Sequence, residues 1–263
     1  MRFRFAALFV VSPLVSSEAQ NPGQHVTVRV NPTAVVIRGD TVGMTAIVSN
    51  SSSSTESLLT FVVDAPGGVT FIRTPEPAVS WDAGTRASGR PAAVWSSGEL
   101  VSPGASTPEL YFEAVGLPGI LTYWAGGDYP YPSYDDGEAV DTGTFANPLE
   151  TAMISGKTVG VEAWPNPRTA QALLSRLRSL TQSACSRPLF WIANGTLCAQ
   201  LVRDLDHAEA HRLNGEMSDA RNSLARFVTS LSGSSPDSFA PGVTSSGYWL
   251  LRPNADIVTR LLS

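Results

Sequence analysis

The densest group of side chains capable of chemistry lies between Gly126 and Thr144: Gly-Gly-Asp128-Tyr129-Pro-Tyr131-Pro-Ser-Tyr134-Asp135-Asp136-Gly137-Glu138-Ala-Val-Asp141-Thr-Gly-Thr. Five carboxylates and three tyrosines are interleaved with prolines and glycines. The stretch is too polar for a core strand, which predicts a long exposed loop, the usual place for binding residues on a rigid scaffold. Asp135, Asp136, Glu138 and Asp141 present oxygen ligands on a glycine-punctuated turn, the donor set calcium prefers, although the EF-hand spacing is not met. Tyr129, Tyr131 and Tyr134 offer ring faces for direct contact with a sugar or peptide. The plainer alternative is a solvated acidic hairpin with its tyrosines packed on a sheet edge.

A second group is His207-Ala-Glu-Ala-His211. Histidines four apart share a helical face, as metal ligands must. The zinc-protease motif needs a glutamate next to the first histidine. Here Glu209 points to another side of the helix, and Asp204, one turn before His207, could join only a weak site. His207 falls opposite the leucine stripe and His211 at its edge, which favours a solvated face. There is no Gly-x-Ser-x-Gly elbow, no Walker loop and no Gly-x-Gly-x-x-Gly turn, so no catalytic residue is expected and the chain reads as a non-enzyme.

Cys185 and Cys198 are the only two cysteines. An even count in an exported chain predicts a disulfide, structural in role because a redox site would want Cys-x-x-Cys and a lowered thiol pKa. Asn50-Ser-Ser and Asn194-Gly-Thr are glycosylation sequons, relevant in a host that uses them.

Export is read from the N-terminus. Arg2 and Arg4 precede the apolar run Phe5 to Val11, followed by Pro13 and Ser17-Glu18-Ala19. This layout predicts a signal peptide over 1–19, with cleavage after Ala19 and a secreted or periplasmic mature chain. The apolar run is too short to span a bilayer core of about 30 Å, and no other stretch is apolar enough. No cysteine stands at the cleavage site for lipid attachment. Residues 20–163 carry six basic and fifteen acidic residues, a net of −9, whereas 164–263 carry ten and seven, a net of +3. Such an acidic front half argues against nucleic acid, which needs rows of phosphate-neutralising cations.

These groups must be positioned by two kinds of element. From residue 25 to about 161, short alternating runs read as strands: 25–30, 41–49, 58–63, 69–72, 93–95, 109–113, 120–124 and 158–162. Turn signals between them are the pattern of an all-β sandwich, here of the Ig-like type over 20–163. Trp164-Pro165-Asn166-Pro167 closes this part, with Asn166 expected as a helix N-cap and Pro167 as the first helical residue. An all-α small helical bundle follows over 164–263. Its stripes are Leu173/Leu177/Leu180/Ala184, Leu197/Leu201/Leu205/Ala208, Ala220/Leu224/Phe227/Val228/Leu231 and Tyr248/Leu251/Ala255/Val258/Leu262. Pro253 is expected to kink or begin the last helix.

Gly39-Asp40-Thr41-Val42, Val48-Ser-Asn50, Ala65-Pro-Gly-Gly-Val-Thr-Phe71, Trp95, Gly98-Glu99-Leu100, Pro103-Gly104 and Glu109-Leu-Tyr-Phe112 stand in the order of a known module type. Over about residues 25 to 126 the chain resembles the CARDB-like group of Ig-like bacterial extracellular sandwiches, which implies adhesion or display. Leu205-Asp-His-Ala208, Arg212-Leu-Asn-Gly-Glu216, Ala220 to Val228 and Tyr248 to Asp256 resemble the FIMAH-type C-terminal helical domain of secreted bacterial proteins. That resemblance implies an accessory or attachment module and transfers no activity. The expectation is a secreted, non-enzymatic binding or adhesion protein whose partner is an extracellular protein or polysaccharide. Two alternatives remain: an accessory to a carbohydrate-active or other hydrolase with its site on the 128–141 loop, or a purely structural envelope component.

Overall fold

A computed structural model describes residues 26–64, 69–73, 81–84, 92–127, 154–234 and 238–263. Among the described residues nine strands come first: β1 (Val28–Arg38), β2 (Thr41–Asn50), β3 (Leu58–Asp64), β4 (Thr70–Arg73), β5 (Trp81–Gly84), β6 (Ala92–Val101), β7 (Leu110–Val115), β8 (Leu117–Gly127) and β9 (Ile154–Glu162). Four described helices follow: α1 (Ala170–Cys185), α2 (Gly195–Leu213), α3 (Met217–Leu231) and α4 (Ser245–Leu261). The chain is thus a β-rich part followed by a helical part, as the residue pattern predicts.

The strands form two antiparallel sheets, one in the order β1-β2-β7-β4 and the other β5-β6-β3-β8-β9. Alternation decides which faces turn inward. Val42, Met44 and Val48 of β2 and Leu110, Phe112 and Ala114 of β7 join Phe61, Leu121, Ala125 and Val159 of the second sheet in one buried cluster. Two strand expectations need correction. The first strand runs on through Asn31-Pro32-Thr33 to Arg38, and Trp81–Gly84 forms a strand that the periodicity does not reveal. Pro32 is tolerated because β1 is an edge strand and its register shifts between Pro32 and Ala34. Asn50, the first sequon, is a structural residue: it is 1% exposed, and its Nδ2 donates to the Glu56 and Val101 carbonyls.

The helical part begins later than the prolines suggest. Thr169, not Asn166, caps α1 by accepting from Ala172 N–H at 3.2 Å, because Pro167 precedes the helix instead of starting it. Asn194 caps α2 through Thr196 and Leu197 N–H, both at 3.1 Å, and Thr244 caps α4 through Gly247 N–H at 3.2 Å. The buried positions of α1 and α2 reproduce their leucine stripes, and Val228 is the one expected α3 position that stays only partly buried. Pro253 neither begins nor ends α4 but lies inside a continuous helix.

Helix α4 is buried on more than one side, with Leu250, Leu251, Asn254, Ala255, Ile257 and Val258 all inaccessible. It packs between the other helices and strands β1, β8 and β9. A polar joint fixes this contact. Arg176 of α1 donates to Asn254 Oδ1 at 2.6 Å, to the Pro118 carbonyl at 2.8 Å and to Glu162 Oε2 at 2.8 Å. Asn254 Nδ2 also donates to Pro118 O, at 3.0 Å, and to Leu250 O, at 2.6 Å. The connection between the parts is tied down as well: Arg168 pairs with Asp40 at 2.6 Å and lies over the Trp164 ring at 4.6 Å.

Candidate functional site

Cys185 and Cys198 are bonded, with their Cα atoms 6.0 Å apart. The bridge joins the last residue of α1 to the first turn of α2 and forces the twelve residues between into a tight excursion. That excursion is pinned from within and from outside. Phe190 N–H donates to Ser186 O and Ile192 N–H to Ala184 O, both at 3.0 Å. The Trp191 carbonyl accepts from Thr244 N–H at 2.9 Å and from Thr244 Oγ1 at 3.0 Å, and Ala193 N–H reaches Gly242 O at 2.8 Å.

Held in this way, Phe190 adopts φ of +40° with its side chain 46% exposed. A bulky residue at positive φ costs about 1–3 kcal/mol, and such strain persists where the surroundings over-determine it, commonly at ligand sites. An aromatic ring held toward water in a strained turn gains nothing for the core. Leu189 and Trp191 beside it are turned inward, Trp191 almost completely.

Phe190 stands at a cleft of about 900 Å³ between the sheet part and the helical part, a volume within the range of ligand sites. One wall is strand β1 from Val28 to Thr33, and another is the start of α4. Aromatic rings are packed in series at the start of α4: Phe239, from the segment before the helix, lies 4.8 Å from Tyr248, which meets Trp249 edge-on at 5.1 Å. Tyr123 lines the cleft from β8 while stacking at 5.6 Å on core residue Phe61. It fits because its partner on β9 is Gly156, where a Cβ would lie 2.5 Å from the phenol ring. Burial pushes the Tyr123 phenol above its usual pKa.

The charge in the cleft has one sign. Arg29, Lys157 and Arg252 line it, and among the described residues no carboxylate does. Arg252 lies 5.3 Å from the Tyr248 ring centroid, hydrogen-bonds the Tyr248 hydroxyl and stands 4.0 Å from Asp256. Lys157 donates to Thr122 Oγ1 at 2.8 Å. Burial raises the Asp256 pKa, against the opposing pull of Arg252 and Arg260. The arrangement supplies flat apolar surfaces, cations and the hydroxyls of Ser245 and Ser246. It suits recognition.

The residues expected to bind calcium (Asp135, Asp136, Glu138, Asp141) and ligand (Tyr129, Tyr131, Tyr134) lie outside the described residues, as does the signal peptide over 1–19. His207 is exposed on α2. Asp204 does not join it: the carboxylate is buried and faces Arg226 of α3 at 3.5 Å. Glu209 is held by Arg212 through two hydrogen bonds, at 2.7 and 2.8 Å. His211 instead meets Glu216 at 2.6 Å, and with Asp219 these place three donor atoms within 4.8 Å of one another at the α2–α3 turn. That group is largely open to solvent, and its histidine already has a hydrogen-bond partner.

Sequence reasoning missed the cleft residues. The available signal was the pair Phe190-Trp191 inside a short cystine loop, where large apolar side chains need a surface to meet. No helix among the described residues is long and apolar enough to cross a membrane. Comparison of the chain with protein-family models and with curated proteins found no match in either.

Proposed function

We propose that the protein is an exported, non-catalytic binding protein that holds an extracellular polysaccharide in the cleft between its sheets and helices. In this reading the two sheets are an Ig-like display sandwich and the helices an accessory unit that completes the site. The observation that carries the reading is Phe190: an exposed aromatic, strained to positive φ, at the edge of an aromatic cleft. Flat rings bury large area at low entropic cost, and flanking hydroxyls satisfy polar groups of a ligand. A disulfide fits an oxidising compartment outside the cytoplasm.

The test is retention of the purified protein on a panel of extracellular polysaccharides, with Phe190→Ala and Trp249→Ala beside the wild type. Phe190→Ala removes an exposed ring from a strained position, so folding should be preserved while affinity falls at least about tenfold, or 1.4 kcal/mol. Loss that follows Asp135→Asn/Asp136→Asn and a calcium chelator, with Phe190→Ala silent, would move the site to the 128–141 loop. Failure of the wild type to bind any polysaccharide sinks the reading.

A further inference from the structure

A second hollow, of about 510 Å³, adjoins the cleft along the junction of α1 with the second sheet, lined in part by Ser179, Gln182, Ser183 and Arg187. Lys157 and Leu189 line both hollows. Each volume falls within the range of roughly 300–1,000 Å³ typical of a complete ligand site. Two such hollows bordered by the same Lys157 and Leu189 side chains lie close enough for one extended ligand to reach along both.

Charge along both hollows is as uniform as in the cleft. Arg29, Arg252, Lys157 and Arg187 are distributed over the two hollows, and among the described residues neither lining contains a carboxylate. The chain as a whole carries a formal charge of −5, and 20–163, which contributes Arg29 and Lys157, carries −9. Cations gathered around these hollows of an acidic protein raise the local concentration of anions there while the remaining surface repels them. Arg187 lies 5.5 Å from the Phe190 ring centroid, so the charge of the second hollow and the aromatic edge of the first are in contact. Among the described residues, no carboxylate forms an ion pair with Arg29, Lys157 or Arg187.

We infer that the occupant is an extended carboxylated polysaccharide, whose successive sugar units span both hollows with an acid group over Lys157. This rests on the cleft being the binding site, as proposed above, and adds the charge and length of its ligand. An acidic peptide fits less well. The natural way for a peptide to bind beside a sheet is to extend an edge strand. Strand β1 carries Pro32 and a register shift against β2, and α4 packs against it, with Ser245 Oγ 3.5 Å from Asn31 Oδ1. Rings, hydroxyls and guanidinium groups match the faces, hydroxyls and carboxylates of uronic acid units.

The experiment is calorimetric titration of the whole protein with oligogalacturonates of two and eight units, and with the methyl-esterified octamer. The expected result is an octamer at least about tenfold tighter than the dimer, with most of that gain lost on esterification and at high ionic strength. Arg187→Gln should weaken the octamer more than the dimer and so shrink the advantage of length, whereas Lys157→Gln should weaken both; circular dichroism confirms that each variant is folded. Equal affinity for acid and ester, or for dimer and octamer, overturns the inference. If neutral polysaccharides are then still retained in a Phe190-dependent way, the binding reading stands without it. If Phe190→Ala changes nothing for any polysaccharide, the binding reading falls as well.

Discussion

Replacing Arg176 by Met tests whether the sheets and helices form one cooperative structure. The guanidinium donates two hydrogen bonds across the junction, to Pro118 O and Glu162 Oε2, and a third within the helical part, to Asn254 Oδ1; its side chain is only 15% exposed. A hydrogen bond to a charged group contributes about 1.5–3 kcal/mol, and a buried partner left without its ion costs more. Three bonds from one group do not add. Two acceptors also keep a second donor: Asn254 Nδ2 on Pro118 O, and Ile120 N–H, at 3.1 Å, on the other oxygen of Glu162. Glu162 is 30% exposed, so its orphaned carboxylate can recruit water. Methionine retains the apolar stem. The expected loss is therefore about 2–4 kcal/mol, well below three full bonds.

Urea unfolding followed in parallel by far-ultraviolet circular dichroism and tryptophan fluorescence measures it. The midpoint should fall without a change of slope, and the two probes should coincide in both proteins. Combined with Glu162→Gln, the double-mutant cycle should show a coupling of about 1–2 kcal/mol. A loss below about 0.5 kcal/mol, the usual range for a surface substitution, would refute the joint. So would separate transitions for sheet and helices in the wild type.

Three further outcomes follow from the geometry. Cys185→Ser/Cys198→Ser frees a loop with a separation of 13 residues, and should lower unfolding free energy by about 3 kcal/mol on the chain-entropy model; a protein equally stable with and without reductant would contradict this. Gly156→Val places side-chain atoms where the Tyr123 ring lies, so calorimetry should show a lowered melting temperature, and ligand retention in the cleft should weaken with it. Asp256 has a folded pKa raised above 3.8 by burial. The folded state then binds the proton more tightly than the unfolded one, so this contribution is complete below the unfolded pKa and is lost as pH rises through the folded value. Asp256→Asn should accordingly match or exceed the wild type near neutral pH and lose that advantage in acid, as read from urea midpoints across pH; a larger advantage in acid would show the sign to be wrong.

The contrast between what the residues foretold and what they concealed has a physical basis. Strands β2 and β7 and the stripes of α1 and α2 were legible because one face of each is buried, and burial imposes a period of 2.0 or 3.6 on the local sequence. Where the partner surface is unusual, the period fails. The second half of β1 hides behind Asn31-Pro32-Thr33, since an edge strand can discard the hydrogen bond that proline cannot make. The cleft is a harder case. Arg29 and Lys157 belong to strands, Phe190 to a cystine loop, and Tyr248, Trp249 and Arg252 to the last helix. No local spacing relates them, because they meet only when α4 docks on the sheet. One trace of that docking was nevertheless present. A helix that packs on a single neighbour needs one apolar stripe, whereas Tyr248 to Val258 is apolar on several faces and carries Asn254 among them. A buried asparagine in such a helix requires polar partners, and here they come from outside the helical part as well as within it: Pro118 of β8 and Arg176 of α1. The width of the last stripe, more than any motif, was the signal that the two parts share a surface and that a site could form along it.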